Sequence, residues 1–160
     1  MKNRSAFTLV EIMIATLIIG IAIASIVASN TAFTKANSAG ITISQAQFLI
    51  EQIRELTATL DVIDPDTGTT TFGAEEGSLG AYDDLDDFDG ASFNPPIDID
   101  RTQITDLSQY TQQITVENVS LADLQTVVSD HSTDMVRVTV TISANGTQVS
   151  SASWIRARKD

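Results

Sequence analysis

From Phe7 to Ala28 the chain is predominantly apolar and carries one ionisable residue, Glu11. A helix rising about 1.5 Å per residue needs roughly 20 residues to cross the hydrocarbon core of a bilayer, and this run is long enough. Ile12, Ile14, Leu17, Ile18, Ile19, Ile21, Ile23, Ile26 and Val27 dominate it, with small residues between them and no proline. A helix apolar on every side is not the surface helix of a soluble domain, and belongs in lipid or among other apolar chains. Glu11 is the exception. A charge at the centre of such a helix costs roughly 2.5–3.5 kcal/mol, less near the interface, so a carboxylate kept there is expected to have a partner.

The flanks orient the segment. Lys2 and Arg4 precede it, whereas the twenty residues after it carry only Lys35. The bias of Lys and Arg toward the cytoplasmic side puts the N-terminus inside and the remainder outside. Two simpler readings compete. A secretory signal also has a basic start, an apolar core and a small-residue cleavage site, which Ala22-Ile23-Ala24 would supply. A plain uncleaved anchor is the other. Neither accounts for Glu11, and the signal reading does not account for helical patterning beyond the cut.

The stretch Ser5-Ala6-Phe7-Thr8-Leu9-Val10-Glu11 resembles the processing motif of type IV prepilins and the related pseudopilins. The resemblance implies a membrane peptidase that cuts on the cytoplasmic side, between Ala6 and Phe7, and methylates the new N-terminus of Phe7. The family usually has glycine before the cut, where this chain has Ala6. In the family's mode of assembly, Glu11 of an incoming subunit pairs with the Phe7 amine of a subunit already in the filament. Two such charges about 4 Å apart attract far more strongly at low effective dielectric than in water. The implied partners are prepilin peptidase, inner-membrane assembly machinery, other pilin subunits and, before assembly, the bilayer itself.

Helical patterning continues past the membrane segment. Thr31 to Leu60 contains no proline and one glycine, Gly40. Leu49, Ile53, Leu56 and Leu60 step by four, three and four, with Ile41, Gln45 and Phe48 extending the same face, and Gln47, Glu51, Gln52, Arg54 and Glu55 supply the polar side. The pattern predicts one helix from Phe7 to about Leu60, on the order of 80 Å long.

Residues 61–108 read as an acidic loop region. From Asp61 to Asp106 there are 13 acidic residues against Arg101 alone, punctuated by Gly68, Gly73, Gly77, Gly80, Gly90, Pro65, Pro95 and Pro96. Within it, Tyr82-Asp83-Asp84-Leu85-Asp86-Asp87-Phe88-Asp89-Gly90 offers oxygen donors to calcium, which takes six to eight of them. The donors are Asp84, Asp86, Asp87 and Asp89, although their spacing is not that of an EF-hand loop. The competing reading is a solvated acidic turn that docks Tyr82, Leu85 and Phe88. The turn resembles those in minor pilins of the mannose-sensitive haemagglutinin type. No other cofactor is expected.

The remainder, residues 109–160, reads as antiparallel sheet. Tyr110–Val116 is rich in β-formers, and Val136, Val138, Val140 and Ile142 alternate cleanly. Asn145-Gly146 is a favoured hairpin turn. Val149, Ser151, Ser153 and Ile155 fall on one face of the return strand and Trp154 on the other. Leu121–Asp134 is expected to form a short helical turn and loop. Arg156, Arg158 and Lys159 form a basic tail, either solvated or reaching the acidic loop of an adjacent subunit.

Composition excludes several functions. With no cysteine, disulfide frameworks, thiol nucleophiles and cysteine metal sites are ruled out. A net charge of −12 argues against gripping nucleic acid. His131 is the one histidine; it reads as a surface loop residue, so no catalytic group is assigned. The expected fold is therefore α+β and pilin-like. It comprises a leader (1–6), a membrane half (7–30) and an amphipathic half (31–60) of one helix, then the acidic loop and a small antiparallel sheet. The lack of a disulfide loop favours a minor pilin, stored in the inner membrane and then built into an extracellular or periplasmic filament. A type II secretion pseudopilin, or a tethered or secreted binding domain with an ordinary signal, remain alternatives.

Overall fold

A computed structural model describes residues 7–158. The chain divides into two compact units, Met1–Ile41 and Thr42–Asp160. A single helix, α1 (Leu9–Ala58), supplies the described part of the first unit and the start of the second.

In the first unit every described side chain is exposed, the large apolar ones included. Four of its hydroxyls are satisfied within the helix. The hydroxyls of Thr16, Ser25, Thr31 and Thr34 donate to the carbonyls of Met13, Ile21, Val27 and Asn30 at 2.8–3.0 Å. Back-bonding of this kind lets a hydroxyl sit in apolar surroundings without an orphaned donor. By length and composition this part of α1 is able to cross a membrane.

The second unit packs the end of α1 on a four-stranded antiparallel sheet in the order β1 (Ser92–Phe93), β2 (Tyr110–Asn118), β3 (Met135–Ala144), β4 (Thr147–Ala157). Strands β2 and β3 alternate buried and less buried positions, so Ile114, Val116, Val136, Val138, Val140 and Ile142 form one apolar floor. The hairpin turn is Asn145-Gly146, with φ of 49° and 79°. Two successive positive φ values match the right-handed twist of the flanking strands, which explains the choice of residues.

The helix face differs from the pattern read in the sequence. Leu49, Ile53 and Leu56 are buried as expected, but Ala46, Ile50 and Thr57 join them, while Phe48 is 51% exposed and Ile41 55%. Gln45 turns inward because the Tyr110 hydroxyl donates to its side-chain oxygen at 2.7 Å. On β4 a register shift opposite Ile142/Ser143 puts Ser150, Ala152, Trp154 and Arg156 in line with the buried residues of β3. Trp154 therefore lies on the core side, and Ile155 faces out.

Residues 61–108 are packed rather than loose. Val62, Leu85, Phe88 and Ile97 are in the core, and β1 adds an edge strand that the acidic composition concealed. Gln112 on β2 pins this region at its centre. It is fully buried, accepts from Ile97 N at 2.7 Å, and donates to Leu49 O and Ile97 O at 3.0 and 3.1 Å. One side chain thus joins helix, sheet and loop. Residues 121–134 contain turns but no helix. There the exposed Asp123 carboxylate accepts from Gln125 N, Thr126 N and the Thr126 hydroxyl. The Thr126 hydroxyl first, then these backbone donors, pull Asp123 down to about 2.

Arg156 is not part of a solvated tail. α1 carries no basic residue in its last turn, and the final carbonyls of a helix lack internal partners. Arg156 reaches from β4 to donate to Thr57 O and, at 2.9 Å, to Leu60 O. Arg156→Ala is expected to lower stability by about 2 kcal/mol, since hydrogen bonds from a charged donor contribute roughly 1.5–3 kcal/mol. Lysine, lacking the planar fork, should restore only part of it. Thermal unfolding of the full chain in detergent measures both; an unchanged midpoint in the alanine variant would refute the capping role. Lys159 lies outside the described residues.

Candidate functional site

Two places in the chain hold carboxylates where physics makes them expensive. The first is the start of α1. Glu11 Oε2 accepts from Thr8 N at 2.8 Å and from the Thr8 hydroxyl at 2.9 Å, while Thr8 Oγ accepts from Glu11 N at 3.2 Å. This is a reciprocal capping box, with Thr8 at the N-cap and Glu11 three residues on, and it satisfies orphan donors of the first turn. The carboxylate also faces the positive end of the helix dipole. Thr8 is thus a functional neighbour that the reading of Glu11 as a lone charge overlooked. A Thr-x-x-Glu pattern ahead of an apolar run was the available signal. Phe7 is exposed beside it, and Ala6, on the other side of the expected cut, lies outside the described residues.

The second place is in the head. The backbone of Leu85 donates to Asp61 O at 2.9 Å, and Asp61 and Asp84 form a parallel bridge. This lays the turn 83–88 beside the segment that follows α1. Leu85 and Phe88 turn into the core, and Asp86 and Asp87 between them are buried as well. Asp84 and Asp87 are 0% and 1% exposed. They brace the turn themselves: Asp87 Oδ2 accepts from Asp83 N and Asp84 N, and Asp84 Oδ1 from Asp87 N. The solvated acidic turn expected from the sequence is therefore a buried one.

Around it three carboxylate triads interlock: Asp64, Glu75 and Glu76; Asp64, Asp83 and Asp84; Glu76, Asp83 and Asp87. Within each triad the oxygens lie within 4.8 Å of one another. The Asp64 end is fixed by Asp66 N and Thr67 N, both of which donate to Asp64 Oδ1. Crowding moves the protonation equilibria. The contact between Asp64 and Glu75 raises Glu75 and lowers Asp64, and contact with Asp87 raises Glu76. Burial is the main cause that raises Asp83 and Asp87.

The four calcium candidates of the turn separate into two pairs. Asp84 and Asp87 belong to the triads. Asp89 instead accepts from Val116 N at 2.8 Å and fastens the turn to β2. Asp86, 1% exposed, faces His131 Nε2 at 3.7 Å. Burial first, then the Asp84 carboxyl, pushes Asp86 up to about 9, so it keeps its proton at neutral pH. His131 is not the surface residue expected: its side chain is 12% exposed, its ring packs edge-on to Phe72, and Nε2 donates to Thr71 O at 2.6 Å. Since a carbonyl only accepts, Nε2 carries the proton. Arg101, the lone basic residue of the acidic region, pairs with no carboxylate among the described residues. It donates to the carbonyls of Leu79, Gly80 and Tyr82, the last of these preceding Asp83 in the chain.

Taken by class, the chain is an α+β, pilin-like protein: a long N-terminal helix, apolar in its first part, whose later part packs on a four-stranded antiparallel sheet. Residues 1–27 match the family described as the prokaryotic N-terminal methylation motif. That match supports a type IV prepilin or pseudopilin, and the motif marks structural subunits rather than an enzyme family. No curated protein and no solved structure matches the chain.

Proposed function

We propose that this chain is a fibre subunit of a type IV pilus or pseudopilus, more specifically a minor pilin. It waits in the inner membrane with its N-terminus cytoplasmic, is cut between Ala6 and Phe7 by prepilin peptidase, and is methylated on Phe7. It then enters a helical filament through α1, with the assembly machinery moving it out of the bilayer. The carrying observation is the N-terminal methylation motif on residues 1–27, placed on a helix whose first part is apolar and wholly exposed. Such a surface is stable only in lipid or among copies of similar helices. The absence of cysteine supports the minor-pilin assignment, because many major pilins carry a C-terminal disulfide loop and this chain departs from that pattern.

Glu11 has two duties in this reading. In the stored subunit Oε2 caps its own helix through Thr8. In the filament the same carboxylate neutralises the Phe7 amine of a neighbour, in a layer where an unpaired charge of either sign is costly. Mass spectrometry of the mature N-terminus tests the proposal. A chain that begins at N-methylated Phe7 is expected; an intact Met1, or a start at Ser25, would overturn it.

A further inference from the structure

The interlocked carboxylates have the spacing that a cation site requires. Two ligand oxygens on opposite sides of a calcium ion, each at about 2.4 Å, are about 4.8 Å apart. The oxygens of each triad lie within that span, so each triad fits around one ion. Every donor is a carboxylate, the hard ligand that calcium prefers, and the set has neither the imidazoles nor the thiolates that suit zinc or copper.

A crowd of acidic residues alone would be an ordinary surface feature. Burial makes this one different. Asp84 Oδ2, Asp87 Oδ1 and Glu76 Oε2 are shielded from solvent, and none has a hydrogen-bond donor. Asp84 and Asp87 are almost wholly buried and are members of the triads. Buried acceptors are nearly always paired, and an orphan calls for a bound water or ion or a functional reason. Among the described residues, the ion pairs that Lys or Arg makes are Arg54–Glu51 and Arg137–Glu117, so neither type pairs with a triad carboxylate. The surrounding hydrogen bonds also hold the donors in place. Asp64 is fixed by Asp66 N and Thr67 N, the Asp84 and Asp87 carboxylates by backbone N–H groups of their own turn, and the Tyr82 carbonyl before Asp83 by Arg101.

We propose that the segments 64–76 and 83–87 form a calcium-binding site whose carboxylate donors are drawn, in the overlapping threes that fit around one ion, from Asp64, Glu75, Glu76, Asp83, Asp84 and Asp87. The ion clamps the segment following the helix to the turn that carries Leu85 and Phe88 into the core. Magnesium fits poorly, because it demands near-ideal octahedral geometry and gives up its waters reluctantly. The proposal is independent of the assembly reading, since every donor lies within residues 64–87.

The test uses the full chain in detergent, stripped with chelator and titrated with calcium chloride, followed by calorimetry and thermal unfolding. A saturable heat is expected, with a dissociation constant near or below the roughly 10⁻⁴–10⁻³ M usual for extracellular calcium modules. A melting point raised by several degrees at about 10 mM calcium should accompany it. Asp84→Asn keeps the oxygen that accepts from Asp87 N but loses a ligand charge, and should weaken calcium binding tenfold or more. Should that variant fail to fold, Asp83→Asn at an exposed position is expected to do the same. Asp106→Asn, an exposed acid outside the site, should leave the response intact. Absence of both heat and melting shift in the unmutated chain overturns the proposal. So does an equal melting shift with magnesium, or an equal loss in Asp106→Asn, because either result means diffuse screening of negative charge.

Discussion

Glu11→Gln is expected to reduce incorporation of the subunit into filaments by tenfold or more while leaving its helix intact. Glutamine preserves the capping box, since its side-chain oxygen still accepts from Thr8 N and the Thr8 hydroxyl. What it removes is the negative charge. Glu11→Ala removes charge and cap together, with a cap alone contributing about 1 kcal/mol. The two variants therefore separate the roles. If pairing with a neighbouring amine governs assembly, both fall to a similar low level, because a loss of about 1.4 kcal/mol per contact is already tenfold. If the local cap governs it, glutamine assembles like the parent and alanine does not. Immunoblotting of sheared filaments against total membrane protein measures incorporation, and wild-type incorporation of Glu11→Gln would remove the ion-pair mechanism.

Gln112→Leu should be the most damaging single change in the head. Leucine fills much of the same volume but leaves Ile97 N and Ile97 O without their partner, while Leu49 O loses the bond it accepts in addition to its helical one. Stranding one buried polar group costs about 1–3 kcal/mol, so two of them should cost at least about 2 kcal/mol. That corresponds to a fall in melting temperature on the order of 10 °C or more for a domain of this size. Exposed Ser153→Ala, on the outer face of the sheet, should change stability by less than about 0.5 kcal/mol. Circular dichroism during heating tests the pair, and near-equal midpoints would mean that Gln112 is not the fastening point.

Which parts of the structure were legible follows from how far their physics reaches along the chain. The alternation of Val136, Val138, Val140 and Ile142, and the Asn145-Gly146 turn, are local signals, and the β3–β4 hairpin follows from them. The apolar run after Phe7 is equally local, and it becomes helix from Leu9 onward. The inward turn of Ala46, Ile50 and Thr57 in place of Phe48 was not legible, because the sheet decides which helix stripe it covers. Strand β1 was hidden for a similar reason: two residues, Ser92 and Phe93, carry no periodicity and become a strand only by pairing with Gln113 and Gln112.

The acidic site shows the same limit. Asp84 and Asp87 were candidates from their turn alone, but Asp64, Glu75 and Glu76 lie in another segment and arrive by folding. Charge density suggested solvent exposure for the turn. The burial of Leu85 and Phe88 on either side of Asp86 and Asp87 overrode it. Arg101 and Arg156 misled in one direction, for both looked like counter-charges. Each instead serves backbone carbonyls, Arg101 those of a loop and Arg156 those at the end of a helix.

One consequence follows from the face of β4 that the register shift selects. The chain has a single tryptophan, Trp154, and the guanidinium of Arg54 from the late part of α1 stacks over its ring at 4.8 Å. The protein therefore carries its own optical gauge of helix docking. Separation of residues 42–58 from the sheet would hydrate the indole and shift its emission to longer wavelength. The same signal can follow detergent, calcium or polymerisation without any added label.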